Sequence, residues 1–242
     1  MISSLFLLIM TQTQKAVVFW SGGKDSAMAL YKALQDPGLQ VVGLVTTVSR
    51  GTGTTSVHEI SEHAIDRQAL QTGLPVRKMM VEADPVNAEY EESLLATYRD
   101  LRKEGISTVI YGDIFLEDIK SYREQLLKQA GLTALFPLWK TDTRILMEGF
   151  IHAGFRAFTC CIGSAVLDES YLGRELDQSF IEELPQNVDP AGENGEFHTF
   201  CYDGPVFRKP VFYKKGIVHT RFAELKLAEQ TVMHKVEYIE VL

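Results

Sequence analysis

The sequence predicts an α/β chain, with a Rossmann-like, mostly parallel sheet followed by a smaller α+β lobe. Three observations carry that prediction. Short apolar runs alternate with stretches of helical period. The helices between them are long enough, at about ten residues or more, to serve as crossovers between parallel strands. Past about Thr141 the alternation gives way to Gly/Pro-rich loops (Pro185 to Gly195, Gly204-Pro205) and short aromatic runs. We therefore expect an extension over residues 1–14, a nucleotide-binding unit over 15–140 and a substrate lobe over 141–242.

The elements follow in order. Lys15–Trp20 (KAVVFW) is a compact apolar strand, and Ser26–Leu34 reads as a helix with Ala27, Leu30 and Leu34 on one face. Leu39–Val48 is β-branched and continuous, the texture of a strand buried on both sides. Arg50–Ser56 is a polar loop, and Ser56 with Glu59 has the spacing of a capping box opening a helix towards Gly73. Pro75–Val81 is a third strand. Val86, Tyr90, Leu94, Tyr98 and Leu101 repeat at helical spacing over Val86–Glu104, and Gly105 stops that helix. Thr108–Tyr111 is a fourth strand, Glu117–Ala130 a helix closed by Gly131, and Ala134–Trp139 a short fifth strand. Asp142–Ala153 is a helix stopped by Gly154 and followed by strand Arg156–Ile162. No internal repeat is present.

Composition removes several classes of function. With 23% charged and 45% hydrophobic residues, the chain can build a core and is neither disordered nor fibrous. Its net charge of −8 argues against a protein whose main task is gripping nucleic-acid phosphates. The one basic–aromatic cluster, from Phe207 and Arg208-Lys209 through Phe212, Tyr213 and Lys214-Lys215 to Arg221, reads as an edge strand with a charged outer face. Three cysteines without a CxxC pair offer no disulfide framework and no zinc clip, a usage that suits a reducing cytoplasm. The apolar run Ile2–Met10 is too short for a membrane span of about 20 residues and lacks the basic flank of a signal peptide.

The sharpest chemical signal is Ser21-Gly22-Gly23-Lys24-Asp25-Ser26, directly after the first strand and opening the first helix. Paired glycines allow close backbone approach, and the amides freed at a helix start favour an anion. Ser21 and Ser26 add hydroxyls, Lys24 adds a charge, and Asp25 can hold Mg²⁺ or cap the turn. Together they make a phosphate cradle. It is neither a Walker A loop nor a dinucleotide fingerprint, because the required glycine spacings are absent.

SGGKDS in this position resembles the PP-loop of the N-type ATP pyrophosphatases, which cleave ATP to AMP and pyrophosphate. Downstream, YGDIFLED (111–118), LFPLW (135–139), LDESYLGR (167–174) and above all GENGEFHTF (192–200) are similar, in order, to the diphthine–ammonia ligase family. The likeness runs from about Ala16 to Phe207. It implies a HUP-type ATP domain, ATP and Mg²⁺ as cofactors, ammonia as co-substrate, and a carboxylate activated as an acyl-adenylate and then amidated. In eukaryotic and archaeal members that carboxylate is diphthine on elongation factor 2. The loop RGTGTTSVHEIS (50–61) is shorter than the family's segment before its histidine. Two other readings stay open: a tRNA-modifying or small-molecule PP-loop enzyme, and a non-catalytic ATP- or AMP-binding module. A homodimer is a further expectation.

The remaining candidates are weighed on chemistry and resemblance together. Thr46 and Thr47 end strand two beside the loop and can read an adenine edge, and Gly112-Asp113 ends strand four at the same sheet edge, facing ribose or a metal. Glu193 and Glu196, in a loop loosened by Gly192 and Gly195, can orient an ammonium or act as a base, with Asn194 between them. His58 and His198 are candidate substrate contacts. The resemblance adds Asp168, Glu169 and Arg174, the last as a bidentate carboxylate clamp.

Overall fold

A computed structural model describes residues 13–55, 58–82, 87–227 and 230–242. The expected extension over 1–14 lies outside the described residues up to position 12. Strand β1 (Gln14–Phe19) leads into helix α1 (Lys24–Leu34), then β2 (Leu39–Ser49), α2 (Glu62–Thr72), β3 (Val76–Val81) and α3 (Asn87–Lys103). The series continues with β4 (Thr108–Ile110), α4 (Glu117–Gln129), β5 (Thr133–Leu135), α5 (Thr143–His152) and β6 (Arg156–Gly163). A 3₁₀ turn (Glu169–Tyr171), α6 (Gln178–Glu183), β7 (Phe197–Asp203), β8 (Lys215–Leu227) and β9 (Gln230–Val241) complete it.

The first five strands form one parallel sheet in the order β3-β2-β1-β4-β5. Period-two alternation decides which side each residue feeds. Ala16 and Val18 of β1, and Trp20 just beyond it, enter a core shared with α1, α2 and the second sheet, while Val17 joins α3 and α4 on the opposite face. The last four strands form an antiparallel sheet in the order β7-β6-β9-β8. Of the basic–aromatic stretch read as an edge strand, only residues 215–221 lie in one, the edge strand β8, where Arg221 pairs with Glu59; residues 207–214 run outside any strand.

Two local readings change. Helix α2 opens at Glu62 with Ser61 as N-cap, its hydroxyl accepting from Ala64 N–H at 3.3 Å, rather than on the Ser56–Glu59 box. Glu59 has φ 54 and precedes two bridged residues, Ile60 and Ser61, so its backbone is not helical; Ser56 lies outside the described residues. Strand β5 ends at Leu135 instead of Trp139. Pro137 has no N–H for the ladder, and the chain turns there with Trp139 N–H bonding Phe136 O at 3.1 Å. Among the described residues no helix is long and apolar enough to cross a membrane.

Candidate active site

The carboxyl ends of β1, β2 and β4 open into a cavity of about 300 Å³. Ser21, Lys24, Asp25 and Ser26 line it from the β1–α1 loop, Thr46 and Thr47 from β2, and Gly112 and Asp113 from beyond β4. His58, Glu193 and His198 complete the wall from three further places in the chain. Residues scattered over nearly 180 positions of sequence thus meet at one sheet edge, where ligands of open α/β sheets bind.

The loop holds its shape through its own hydroxyls. Ser21 Oγ accepts from Gly23 N–H at 3.3 Å and donates to Ser26 Oγ at 3.3 Å, while Ser26 Oγ donates to Gly23 O at 3.0 Å. Gly23 is the N-cap of α1 and offers no side-chain cap; Thr199 of β7 supplies one instead, its Oγ1 accepting from Lys24 N–H at 3.0 Å. Gly23 must be glycine for a second reason. A Cβ there would lie 2.5 Å from His58 Cε1 and 3.0 Å from the Thr199 carbonyl oxygen. Gly112 likewise lies against the Asp25 backbone, where a Cβ would come within 2.8 Å of the carbonyl carbon.

Charge is concentrated here. Buried Lys24 bonds Asp25 Oδ2 at 2.8 Å, and its Nζ stands 5.5 Å from the centre of the Phe197 ring. Burial raises the Asp113 carboxyl despite the Arg123 guanidinium 3.3 Å away. Burial, and then the Asp25 charge, push Glu193 up to about 7, although Ile114 N–H donates to its Oε1 at 3.2 Å. His58 is lowered by burial and His198 is held well below the usual histidine range by burial and by His58, whose ring centre is 4.8 Å away. Both are therefore neutral near pH 7. His58 Nδ1 lies 3.0 Å from the Thr199 carbonyl, which can only accept, so the proton sits on Nδ1.

Several polar atoms on this wall lack partners. Among the described residues, Asp25 Oδ1, Asp113 Oδ2, Thr46 Oγ1 and Thr47 Oγ1 are buried without a hydrogen bond. Such groups cost about 1–3 kcal/mol each and call for a ligand. Two orphaned carboxylate oxygens are hard donors suited to a Mg²⁺ that takes its remaining ligands from phosphates and water. No group of three or more His, Cys, Asp or Glu gathers into a metal cage among the described residues.

Not every sequence candidate reaches the cavity. Glu196 is 6% exposed and faces its own loop, where its oxygens accept from Asp189 N–H, Asn194 N–H and Asn194 Nδ2 at 2.9–3.0 Å. Asp189 accepts two more backbone amides, so the loop expected to be loosened by its glycines is braced by two carboxylates. Asn194 is an exposed brace of that loop. Asp168 caps the 3₁₀ turn through Ser170 N–H at 2.8 Å, and Glu169 is exposed beside it. Arg174 is held 2.8 Å from Glu183 and 3.2 Å from Ser179. These three lie away from the cavity wall.

Sequence reasoning also missed wall residues. Arg123, Tyr90 and Phe19 line the cavity without having been candidates, and Tyr111 and Thr199 stand in the sequence only as members of motifs. For Arg123 a signal existed, because it stands three and four residues before Leu126 and Leu127, which α4 buries.

Comparison with known proteins gives this arrangement a family. Residues 14–134 match the family described as "Diphthamide synthase N-terminal domain", and residues 142–222 match "Diphthamide synthase C-terminal domain". The chain belongs to the diphthamide synthase family. It is 28% identical over 227 residues to the diphthine–ammonia ligase of Bos taurus, with 84% of each chain covered. The diphthine–ammonia ligase of Homo sapiens is 27% identical, covering 87% of this chain and 91% of its own length. That of Danio rerio is 26% identical, over 91% and 96%. In this member of the diphthamide synthase family, the two matched regions meet at the cavity: the loop of residues 21–26 comes from the first, and Glu193, His198 and Thr199 come from the second.

Proposed function

We propose that the protein is an ATP-dependent, AMP-forming ligase that adenylates a carboxylate and amidates it with ammonia. The acceptor in this reading is diphthine, named by the relatives, carried on elongation factor 2. The observation that carries the reading is the junction of the PP-loop with β7, which puts Lys24, Glu193 and His198 on one wall.

The chemistry has two halves. A carboxylate oxygen attacks the α-phosphorus and pyrophosphate leaves; ammonia then attacks the acyl carbon, AMP leaves, and a proton is lost from nitrogen. Lys24 and the first amides of α1 bind the outer phosphates and stabilise the charge that develops on them. The orphaned hydroxyls of Thr46 and Thr47 contact the nucleoside. Asp25 and Asp113 would hold Mg²⁺, which neutralises charge on the departing pyrophosphate. Glu193, raised to about 7, exchanges a proton near neutral pH and receives the one that nitrogen loses. Glu196 keeps the Glu193 loop in shape.

The product assay tests this. Purified protein is incubated with ATP, Mg²⁺, ammonium and diphthine-bearing elongation factor 2, and AMP, ADP and pyrophosphate are identified. AMP and pyrophosphate released only with the acceptor present are expected. ADP, or tight nucleotide binding without turnover, overturns the reading in favour of a nucleotide-binding module.

A further inference from the structure

A carboxylate approaching the α-phosphorus must enter a cavity already lined by Asp25, Asp113 and Glu193. Something must offset that repulsion. Among the described residues the wall carries two cationic side chains, Lys24 and Arg123, since His58 and His198 are neutral. Lys24 is paired with Asp25 at 2.8 Å inside the PP-loop, where the outer phosphates bind. Arg123 stands apart from it. It rises from α4 and lies over the end of β4, on the opposite side of β1 from Thr46 and Thr47 on β2.

The guanidinium is held but not used up. Its carbon is 4.2 Å from the centre of the Tyr111 ring and 5.9 Å from that of Phe19, and those two rings are themselves stacked at 5.3 Å. One nitrogen stands 3.3 Å from Asp113 Oδ1; the pair is long, and the rest of the fork lies against the two rings. A planar, preoriented fork with open donors is the form that recognises a carboxylate through two parallel hydrogen bonds. The clamp that the sequence placed at Arg174 is absent there, because that side chain is held by Glu183 and Ser179.

We infer that Arg123 binds the carboxylate of the acceptor, with the Phe19–Tyr111 stack as its platform, so that nucleotide and acceptor enter the cavity from opposite sides of β1. The inference rests on the proposed ligase reaction and adds to it the subsite that selects an anionic acceptor.

Kinetics of Arg123→Gln and Arg123→Lys separate the roles. With diphthine-bearing elongation factor 2 as probe, Arg123→Gln is expected to raise the acceptor KM by about 10- to 100-fold, the worth of a charged hydrogen-bonded pair. Its affinity for AMP, which lacks the pyrophosphate served by Asp25 and Asp113, should stay near that of the wild type, which also shows that the variant is folded. Arg123→Lys keeps the charge without the fork and should fall between the two. An unchanged acceptor KM, or a rise confined to the ATP KM, overturns the inference while leaving the ligase reading intact. A wild type that produces no AMP with this acceptor overturns the ligase reading and this inference with it.

Discussion

Replacing Glu193 with glutamine should make the protein both less active and more stable at alkaline pH. The carboxyl is raised from an ordinary 4.5 to about 7, first by burial and then by the Asp25 charge. Between those two values the folded chain holds a proton that the unfolded chain has released. The group's favourable contribution is therefore fully present below the unfolded value and is lost as pH rises through about 7. At 1.36 kcal/mol per pH unit the whole effect would be about 3 kcal/mol, and solvent screening of a partly exposed carboxyl roughly halves it, to about 1.5 kcal/mol. Glutamine keeps the oxygen that accepts from Ile114 N–H at 3.2 Å and carries no charge at any pH. For a chain of this size about 2–4 °C accompanies each kcal/mol, so Glu193→Gln should melt about 3–6 °C above the wild type at about pH 8. At about pH 5 only about a quarter of that gap should remain. Calorimetry at the two pH values measures both, and amide formation should fall by about 100-fold or more in the same variant. A melting gap that ignores pH, or a variant less stable than wild type at about pH 8, would refute the placement of this carboxyl as an ionised, poorly solvated base.

The neighbouring acid should behave in the opposite way. Glu196→Gln replaces an oxygen facing backbone amides with an NH₂, so it should cost about 1–3 kcal/mol and lower both Tm and activity; a normal Tm with a specific loss of amidation would return Glu196 to the chemistry. Gly23→Ala should lose about 1–3 kcal/mol and weaken AMP binding, because the new methyl meets His58 and a carbonyl oxygen that cannot withdraw; calorimetric titration with AMP reads this, and wild-type affinity would count against the packing described.

These paired outcomes mark where sequence reading stops. The β1–loop–α1 unit was legible because an apolar strand run, paired glycines and a helical period follow one another there, and those periods place the loop at the carboxyl edge of the sheet. The strand order was not legible, since it depends on which crossover passes which face. Glu193 and Glu196 have the same type and lie three apart in a glycine-rich loop; only the fold decides that one faces Ile114 and the cavity while the other closes its own loop. Arg174 and Arg123 differ in the same way: Glu183 and Ser179 hold the first away from the cavity, while the second lines it. Gln68 went unnoticed altogether. A lone glutamine in a helix looks like surface, yet this one is 0% exposed.

Gln68 explains why two distant motifs behave as one site. Its Oε1 accepts from Trp20 Nε1 at 2.9 Å, and its Nε2 donates to Gly22 O at 2.8 Å and to Cys201 O at 2.6 Å. Cys201 N–H also donates to Gly22 O at 2.9 Å. The loop of residues 21–26 is thus tied to β7 through Gln68, Cys201 and the Thr199 cap, and its shape is as much a property of β7 as of β1. Gln68→Leu, close in volume, would leave Trp20 Nε1 and Cys201 O buried and unpaired while Gly22 O keeps one partner. Two orphaned groups at about 1–3 kcal/mol each predict a loss of about 2–5 kcal/mol. Because one severed bond holds Gly22, AMP affinity should fall in the same variant, measured well below its lowered Tm. A less stable variant with unchanged AMP affinity would mean that the loop of residues 21–26 keeps its form without β7, and the coupling between them would fail.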